Sequence, residues 1–195
     1  MERDVVVAGF GGQGVQLIGS VLAHAANEAG RSVLYYSAYG GSMRGGPVYS
    51  TIVIADPDKD IGSPMRAHPA AAIAMNDLAL GLFGDAVKPG GVLLVNSSLI
   101  RTRPDRKDIT ILSIPADDMA KELGDRMVVS MIAMGAFVER TKVVSVEQLL
   151  KGLEEAVPPH RARLIPLNRK AIMAGVEFAR AGKDIERKAD KSLFT

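Results

Sequence analysis

The chain has 195 residues, enough for one substantial hydrophobic core and short for a second, so it is read as a single domain over residues 1–195. Apolar residues make 47% and charged ones 24%, an ordinary globular balance, and a net charge of +2 gives no global reason to expect nucleic acid as a partner. The absence of cysteine excludes disulfides, a thiol nucleophile and thiolate ligation of an iron–sulfur cluster by this chain.

The first element is Val5-Val6-Val7-Ala8, which reads as a buried parallel strand. A glycine turn follows, and Gly9, Gly11 and Gly14 carry the G-x-G-x-x-G spacing of a phosphate-binding strand–turn–helix unit. Glycines allow the tight turn and close approach to a ligand, while the helix N-terminus offers N–H groups to an anion. A dinucleotide site also needs an acidic residue about 20 positions on, at the end of the second strand. That region reads Ser32-Val33-Leu34-Tyr35-Tyr36-Ser37-Ala38-Tyr39, without a carboxylate. Three readings stay open for the turn: a dinucleotide, glycines that only pack helix on strand, or another ligand or partner subunit.

Residues 17–29 are helical and Gly30 closes them; residues 32–36 form a second strand. The glycine-rich loop of residues 37–47 contains Arg44, read either as a solvated arginine or as an anion-binding or interface residue. Residues 48–55 form a strand with one drier face, and residues 70–75 a short buried strand ending at Asn76, with Asp77 as the N-cap of a helix reaching Phe83. Val92-Leu93-Leu94-Val95 is a buried strand, followed by Asn96-Ser97-Ser98. Residues 109–114 make a further strand and residues 116–123 a short helix stopped by Gly124. Residues 127–138 are almost wholly apolar and too short to span a bilayer, so they read as a core or interface helix. Ser145 and Gln148 have capping-box spacing at the start of the next helix. Residues 164–181 form the last helix, and a polar tail begins at about residue 182. Neither a signal peptide nor a membrane span is legible, and the expected compartment is the cytoplasm.

Strands alternating with helices imply an α/β, Rossmann-like fold: a mostly parallel sheet with helices on both faces. Ligands of such sheets bind beyond the carboxyl ends of strands. The glycine turn, the Arg44 loop, Asn76 and Asn96-Ser97 each follow a strand, and are expected to line one edge. Catalytic equipment is thin. His24, His68 and His160 do not have metal-site spacing, and Asp117-Asp118 reads as an exposed helix start rather than an acid/base couple. Between Arg161 and Lys191 there are nine Lys or Arg against four Asp or Glu, which read as a solvated face in preference to a docking surface. A site-like edge without nucleophile, base or metal suggests a subunit that shapes chemistry supplied elsewhere.

The residues also resemble a family. Gly9-Phe10-Gly11-Gly12-Gln13-Gly14, then Tyr39-Gly40 leading to Met43-Arg44-Gly45-Gly46, are similar to the gamma subunit of 2-oxoacid:ferredoxin oxidoreductases. Ile61-Gly62-Ser63-Pro64, Ala74-Met75-Asn76, Pro89-Gly90-Gly91, Asn96-Ser97, Ile114-Pro115-Ala116 and Gly135-Ala136-Phe137 extend the likeness to about Phe178. The resemblance implies a complex that converts a 2-oxoacid and coenzyme A to acyl-CoA and carbon dioxide and passes the electrons to ferredoxin. It implies thiamine diphosphate with magnesium between other subunits, iron–sulfur clusters on further ones, and a gamma domain beside the thiamine site with a part in coenzyme A access. The implied partners are alpha, beta and ferredoxin-like subunits, without nucleic acid or membrane; a homodimer stays open for the isolated chain.

Under that resemblance Gly11, Gly12, Gln13 and Gly14 are expected to present N–H groups to a phosphate of coenzyme A or to a partner loop. Arg44 would add charge for the same anion or cap the entrance, and Asn76, Asn96 and Ser97 would supply orienting hydrogen bonds. No catalytic residue, metal ligand or cofactor held by this chain alone is expected. Two positions depart from the family's habit: Gly41-Ser42 replace a Pro-Glu pair, and Ser130 stands where asparagine is common. The 2-oxoglutarate, pyruvate, branched-chain and indolepyruvate branches stay open, with 2-oxoglutarate placed first. The rival reading is a free-standing nucleotide-binding Rossmann-like protein.

Overall fold

A computed structural model describes residues 2–39, 46–102 and 104–187. Its strands are β1 (Arg3–Phe10), β2 (Ser32–Tyr39), β3 (Pro47–Ala55), β4 (Ala71–Ala74), β5 (Val92–Asn96), β6 (Thr110–Ile114) and β7 (Ile185–Arg187). Its helices are α1 (Val15–Glu28), α2 (Asp77–Phe83), α3 (Ala116–Glu122), α4 (Val129–Thr141), α5 (Val146–Ala156) and α6 (Ile165–Arg180). The strands form one sheet in the order β2-β3-β1-β4-β5-β6-β7.

The sheet is mixed in a way the alternation of elements does not reveal. β1, β4, β5 and β6 pair in parallel, but β3 lies antiparallel between β1 and β2. The connection from β2 to β3 is only residues 40–46, too short for the crossover that parallel neighbours need. Because β3 opposes both neighbours, β2 still runs with β1, and the turns after β1, β2, β4 and β5 leave from one edge.

Period-two burial builds two unequal layers. Val5, Val7, Ile73, Leu94, Leu112 and Ile114 face the larger core, shared with α1, α3, α4, α5 and α6. Ala8, Ala72, Ala74, Leu93, Val95 and Ile111 face the other side, where α2 is the packed helix. Helices thus lie on both faces, with most of them on one. The α4–α6 seam is very close: a Cβ on Gly135 would overlap the Ile172 carbonyl oxygen, and one on Gly175 the Ile132 carbonyl oxygen.

Caps explain the helix limits. Ser145 Oγ accepts from Gln148 N at 3.1 Å while Gln148 Oε1 accepts from Ser145 N at 2.8 Å, the reciprocal box expected from spacing. For α2 the cap is Asn76, not Asp77: Asn76 is extended and its Oδ1 accepts from Ala79 N at 2.9 Å, so Asp77 becomes the first helical residue.

The segment after residue 182, read as tail, begins as structure. Asp184 is wholly buried, its carbonyl accepts from Ser113 N at 2.6 Å, and β7 pairs antiparallel with β6. Arg140 binds the Asp184 carboxylate through Nε (2.7 Å to Oδ2) and Nη2 (2.6 Å to Oδ1), and Nη2 also donates to the Ala179 carbonyl. The Asp184 hydrogen bonds raise the Arg140 pKa above its ordinary value. Among the described residues, no helix is long and apolar enough to cross a membrane.

Candidate functional site

The turn after β1 is organised by one side chain. Gln13 folds back over the strand end, so that its Oε1 accepts from Phe10 N and from Asn76 Nδ2, both at 2.7 Å. Its Nε2 donates to the Met75 carbonyl at 3.3 Å. This fold-back explains Gly9, because a Cβ there would come within 2.7 Å of Gln13 Oε1. Gly14 caps α1 in the left-handed region with φ +73°, and a Cβ on it would overlap the Ser130 hydroxyl.

The N–H groups divide into used and unused. Gly11 N donates to the Gly46 carbonyl and Gln13 N to the Phe10 carbonyl, both at 3.1 Å. Those of Gly12 and Gly14 have no hydrogen-bond partner among the described residues. Gly12 has φ +97° and open space where a side chain would start. The N-terminus of α1 has no side-chain cap and no acidic residue in its first turn. Its positive dipole end, equivalent to about half a charge, is therefore left uncompensated by its own helix.

A cavity of about 90 Å³ opens beside this end, lined by Gly12, Gln13, Asp117, Arg126, Met127 and Ser130 among others. Ser130, in the first turn of α4, is only 1% exposed, and its hydroxyl has no partner among the described residues. A hydroxyl buried without a partner costs stability unless something enters to meet it. Asn96, at the end of β5, donates from Nδ2 to Asp117 Oδ2 at 2.6 Å, and its own Oδ1 is buried without a partner among the described residues. Next to it, Asp118 accepts from the Lys121 ammonium and the Ser98 hydroxyl, each at 2.8 Å, and these bonds hold its carboxyl below the usual carboxylate range. A larger cavity of about 230 Å³ runs along α2, but its lining contains none of the buried unpartnered oxygens.

Gln13, Asn76 and Asn96 are thus brought to one place around the Met75 carbonyl, which Gln13 reaches at 3.3 Å and Asn96 at 3.5 Å. Ser97 lies at the same strand exit, donating its N–H to the Ile114 carbonyl at 2.9 Å, and the hydroxyl that joins the α3 network belongs to Ser98. Arg44 lies outside the described residues; Tyr39 and Gly46, which bracket its loop, stand opposite Val48 and against Gly11 at this edge. Sequence reasoning missed Asp117 and Ser130. Asp117 carried a weak signal, since it starts a helix directly after a parallel strand. Ser130 stood out only as a departure from the family's common asparagine, with no place at the site attached to it.

Comparison with known proteins places the chain. The family model for pyruvate ferredoxin/flavodoxin oxidoreductase matches residues 4–178. The 2-oxoglutarate synthase subunit KorC of Methanothermobacter marburgensis is 33% identical over 190 residues, covering 94% of this chain and 100% of that protein. The gamma subunit of a keto/oxoacid ferredoxin oxidoreductase from Geobacter sulfurreducens is 31% identical with a TM-score of 0.78, covering 92% of this chain and 99% of that one. A 2-oxoglutarate:ferredoxin oxidoreductase from Magnetococcus marinus, solved with 2-oxoglutarate, coenzyme A and succinyl-CoA bound, shares the fold at 22% identity and TM-score 0.82; the match covers 98% of this chain and 33% of that one. The free-standing nucleotide-binding alternative is not favoured by these relatives. The chain belongs to the pyruvate ferredoxin/flavodoxin oxidoreductase family, as a gamma-type subunit of a 2-oxoacid:ferredoxin oxidoreductase.

Proposed function

We propose that this subunit shapes the coenzyme A entrance of its complex, and that the turn after β1 receives a phosphate of coenzyme A. The observation that carries this reading is the uncapped end of α1. The Gly12 N–H, which has no hydrogen-bond partner among the described residues, lies on a cavity that the buried Ser130 also lines. Gln13 and Asn76 position the turn through their mutual bond rather than touching the ligand. Asn96 holds the Asp117 side chain in place through its amide, donating to Oδ2. Arg44 adds charge from the neighbouring loop, and Ser97 holds the strand exit beside the site.

Thiamine diphosphate with magnesium and the iron–sulfur clusters are assigned to alpha, beta and ferredoxin-like partner subunits in the cytoplasm. This chain has no thiolate to ligate a cluster, and its described residues bring no three His, Asp or Glu together for an ion. The thiamine cofactor supplies the carbanion chemistry that releases carbon dioxide from the 2-oxoacid. The gamma chain's share is to bind and orient coenzyme A and to exclude water from the entrance. In the Magnetococcus enzyme of the same fold, coenzyme A is a bound molecule.

Calorimetric titration of coenzyme A into the assembled enzyme tests this. Arg44→Ala and Gly12→Ala are each expected to weaken binding by about tenfold, the effect of losing about 1.4 kcal/mol. Unchanged affinity in both variants would remove the turn from the binding site. Parallel assays with 2-oxoglutarate, pyruvate, 2-oxoisovalerate and indolepyruvate assign the 2-oxoacid.

A further inference from the structure

The six arginines from Arg126 to Arg180 fall into two groups. Arg169 donates to Glu154 at 2.6 Å, Arg180 faces Glu139 at 3.3 Å, and Arg140 is spent on Asp184. Arg161 and Arg163 sit on the 3₁₀ turn Pro159–Leu164, and Arg126 on the 3₁₀ turn Arg126–Val128. These three exposed arginines have no carboxylate within salt-bridge reach among the described residues.

The same two turns flank a groove of about 130 Å³ with apolar walls from Leu17, Met127, Val157, Leu164 and Leu167. Met127 is 77% exposed and Leu164 40%. Covering either would take further apolar surface out of water, which the isolated fold leaves exposed. The turn Pro159–Leu164 has no buried residue at all. Pro158 and Pro159 stiffen its entry, so little backbone freedom is lost when something docks there. The groove also runs on from the glycine turn, because Met127 lines both cavities.

We propose that this groove is the seat of another subunit of the complex, which inserts an apolar side chain between Met127 and Leu164 and sets carboxylates against Arg126, Arg161 and Arg163. The proposal rests on the chain's place in a multi-subunit enzyme. A second copy of this chain is the wrong occupant. A two-fold interface puts the same patch on both sides, and here that would set arginine against arginine around the apolar centre. The one acid in the lining, Asp125, is committed to its own turn, where its Oδ1 accepts from Met127 N at 2.8 Å. An acidic, apolar-tipped segment satisfies both features together, and Met127 has the flexible side chain to adapt to it.

The test is co-expression of all subunits with an affinity tag on a partner, followed by measurement of how much of this chain is retained. Leu164→Asp and the double variant Arg161→Glu/Arg163→Glu are each expected to cut retention at least about tenfold. Raising the salt from about 0.1 M to 1 M should weaken retention of the wild type, as screening of exposed charges requires. The unfolding midpoints of the variant chains should match the wild type, since these side chains are exposed. Variants retained as well as the wild type would overturn the groove while leaving the complex intact. Failure of the wild type itself to be retained would overturn the complex and the groove together. Dimers of the lone chain that dissociate on Leu164→Asp would overturn the choice of occupant.

Discussion

Glycine serves opposite purposes in the α4–α6 seam and in the turn after β1. At Gly135 and Gly175 there is no room for one more carbon, because the obstacle is the backbone of the facing helix. Backbone cannot step aside the way a long side chain can, so these glycines set the distance between helices. At Gly12 the space is empty and the backbone is left-handed. The seam glycines belong to packing and Gly12 to access. Gly9 and Gly14 fall with the seam, since Gln13 and Ser130 occupy the places their side chains would take. Gly9 and Gly14 of the G-x-G-x-x-G pattern are therefore an internal lock, and the open glycine, Gly12, falls on one of the pattern's free positions.

The seam should give the largest loss of stability. Gly175→Ala should destabilise the chain by about 3 kcal/mol or more, because overpacking against backbone drives the helices apart. A loss of stability below about 1 kcal/mol, read from the denaturant midpoint and m-value, would show the seam to be pliant. Asp184→Ala should cost a similar amount, about 3–5 kcal/mol, by leaving the Arg140 guanidinium without its buried partner. Its control is Arg169→Ala, which breaks an exposed pair and should change stability by less than about 1 kcal/mol.

At the turn the effects should be smaller on stability and larger on binding. Gln13→Ala removes the acceptor of Phe10 N and of Asn76 Nδ2, and is expected to cost about 2 kcal/mol while raising the KM for coenzyme A in the assembled enzyme. Gly12→Ala should cost only about 1 kcal/mol, the strain of a left-handed non-glycine residue, with the fold otherwise intact. Equal losses of stability at Gly12 and Gly175 would erase the distinction between the two kinds of glycine.

The smallest expected effect is on pH dependence. Burial works against ionisation of Glu139, but the Lys142 ammonium bonded to it and the Arg180 guanidinium paired with it outweigh burial and hold its carboxyl below the usual range. A carboxyl with a lowered folded-state pKa contributes stability above its unfolded value of about 4.3 and loses it as pH falls through the folded value. Stability should therefore decline on acidification below about pH 4, and Glu139→Gln should flatten part of that decline. An unchanged slope in the variant would show the ion pairs at Glu139 to be of no consequence.

Much of this was legible because it is local. The capping box at Ser145 and Gln148 needs only its own four residues, and β1, β5 and β6 announce themselves by apolar runs that the sheet then buries on both faces. What was hidden depends on partners far along the chain. Nothing in Pro47–Ala55 says that it will slot antiparallel between β1 and β2. A polar stretch containing Asp184 reads as tail until Arg140, 44 positions earlier, is seen to hold it. At the site, the glycines and asparagines were visible as motif, whereas Ser130 gains meaning only by lying against Gly14.

On the proposed function, this chain contributes the coenzyme A entrance while the other subunits carry out the chemistry. The most direct measurement is ferredoxin reduction, dependent on both 2-oxoacid and coenzyme A, by the remaining subunits with and without this chain. The account predicts that coenzyme A-dependent turnover requires the chain and that Gly12→Ala restores assembly but raises the KM for coenzyme A by about tenfold. Undiminished turnover in its absence, or turnover by the chain alone, would contradict it.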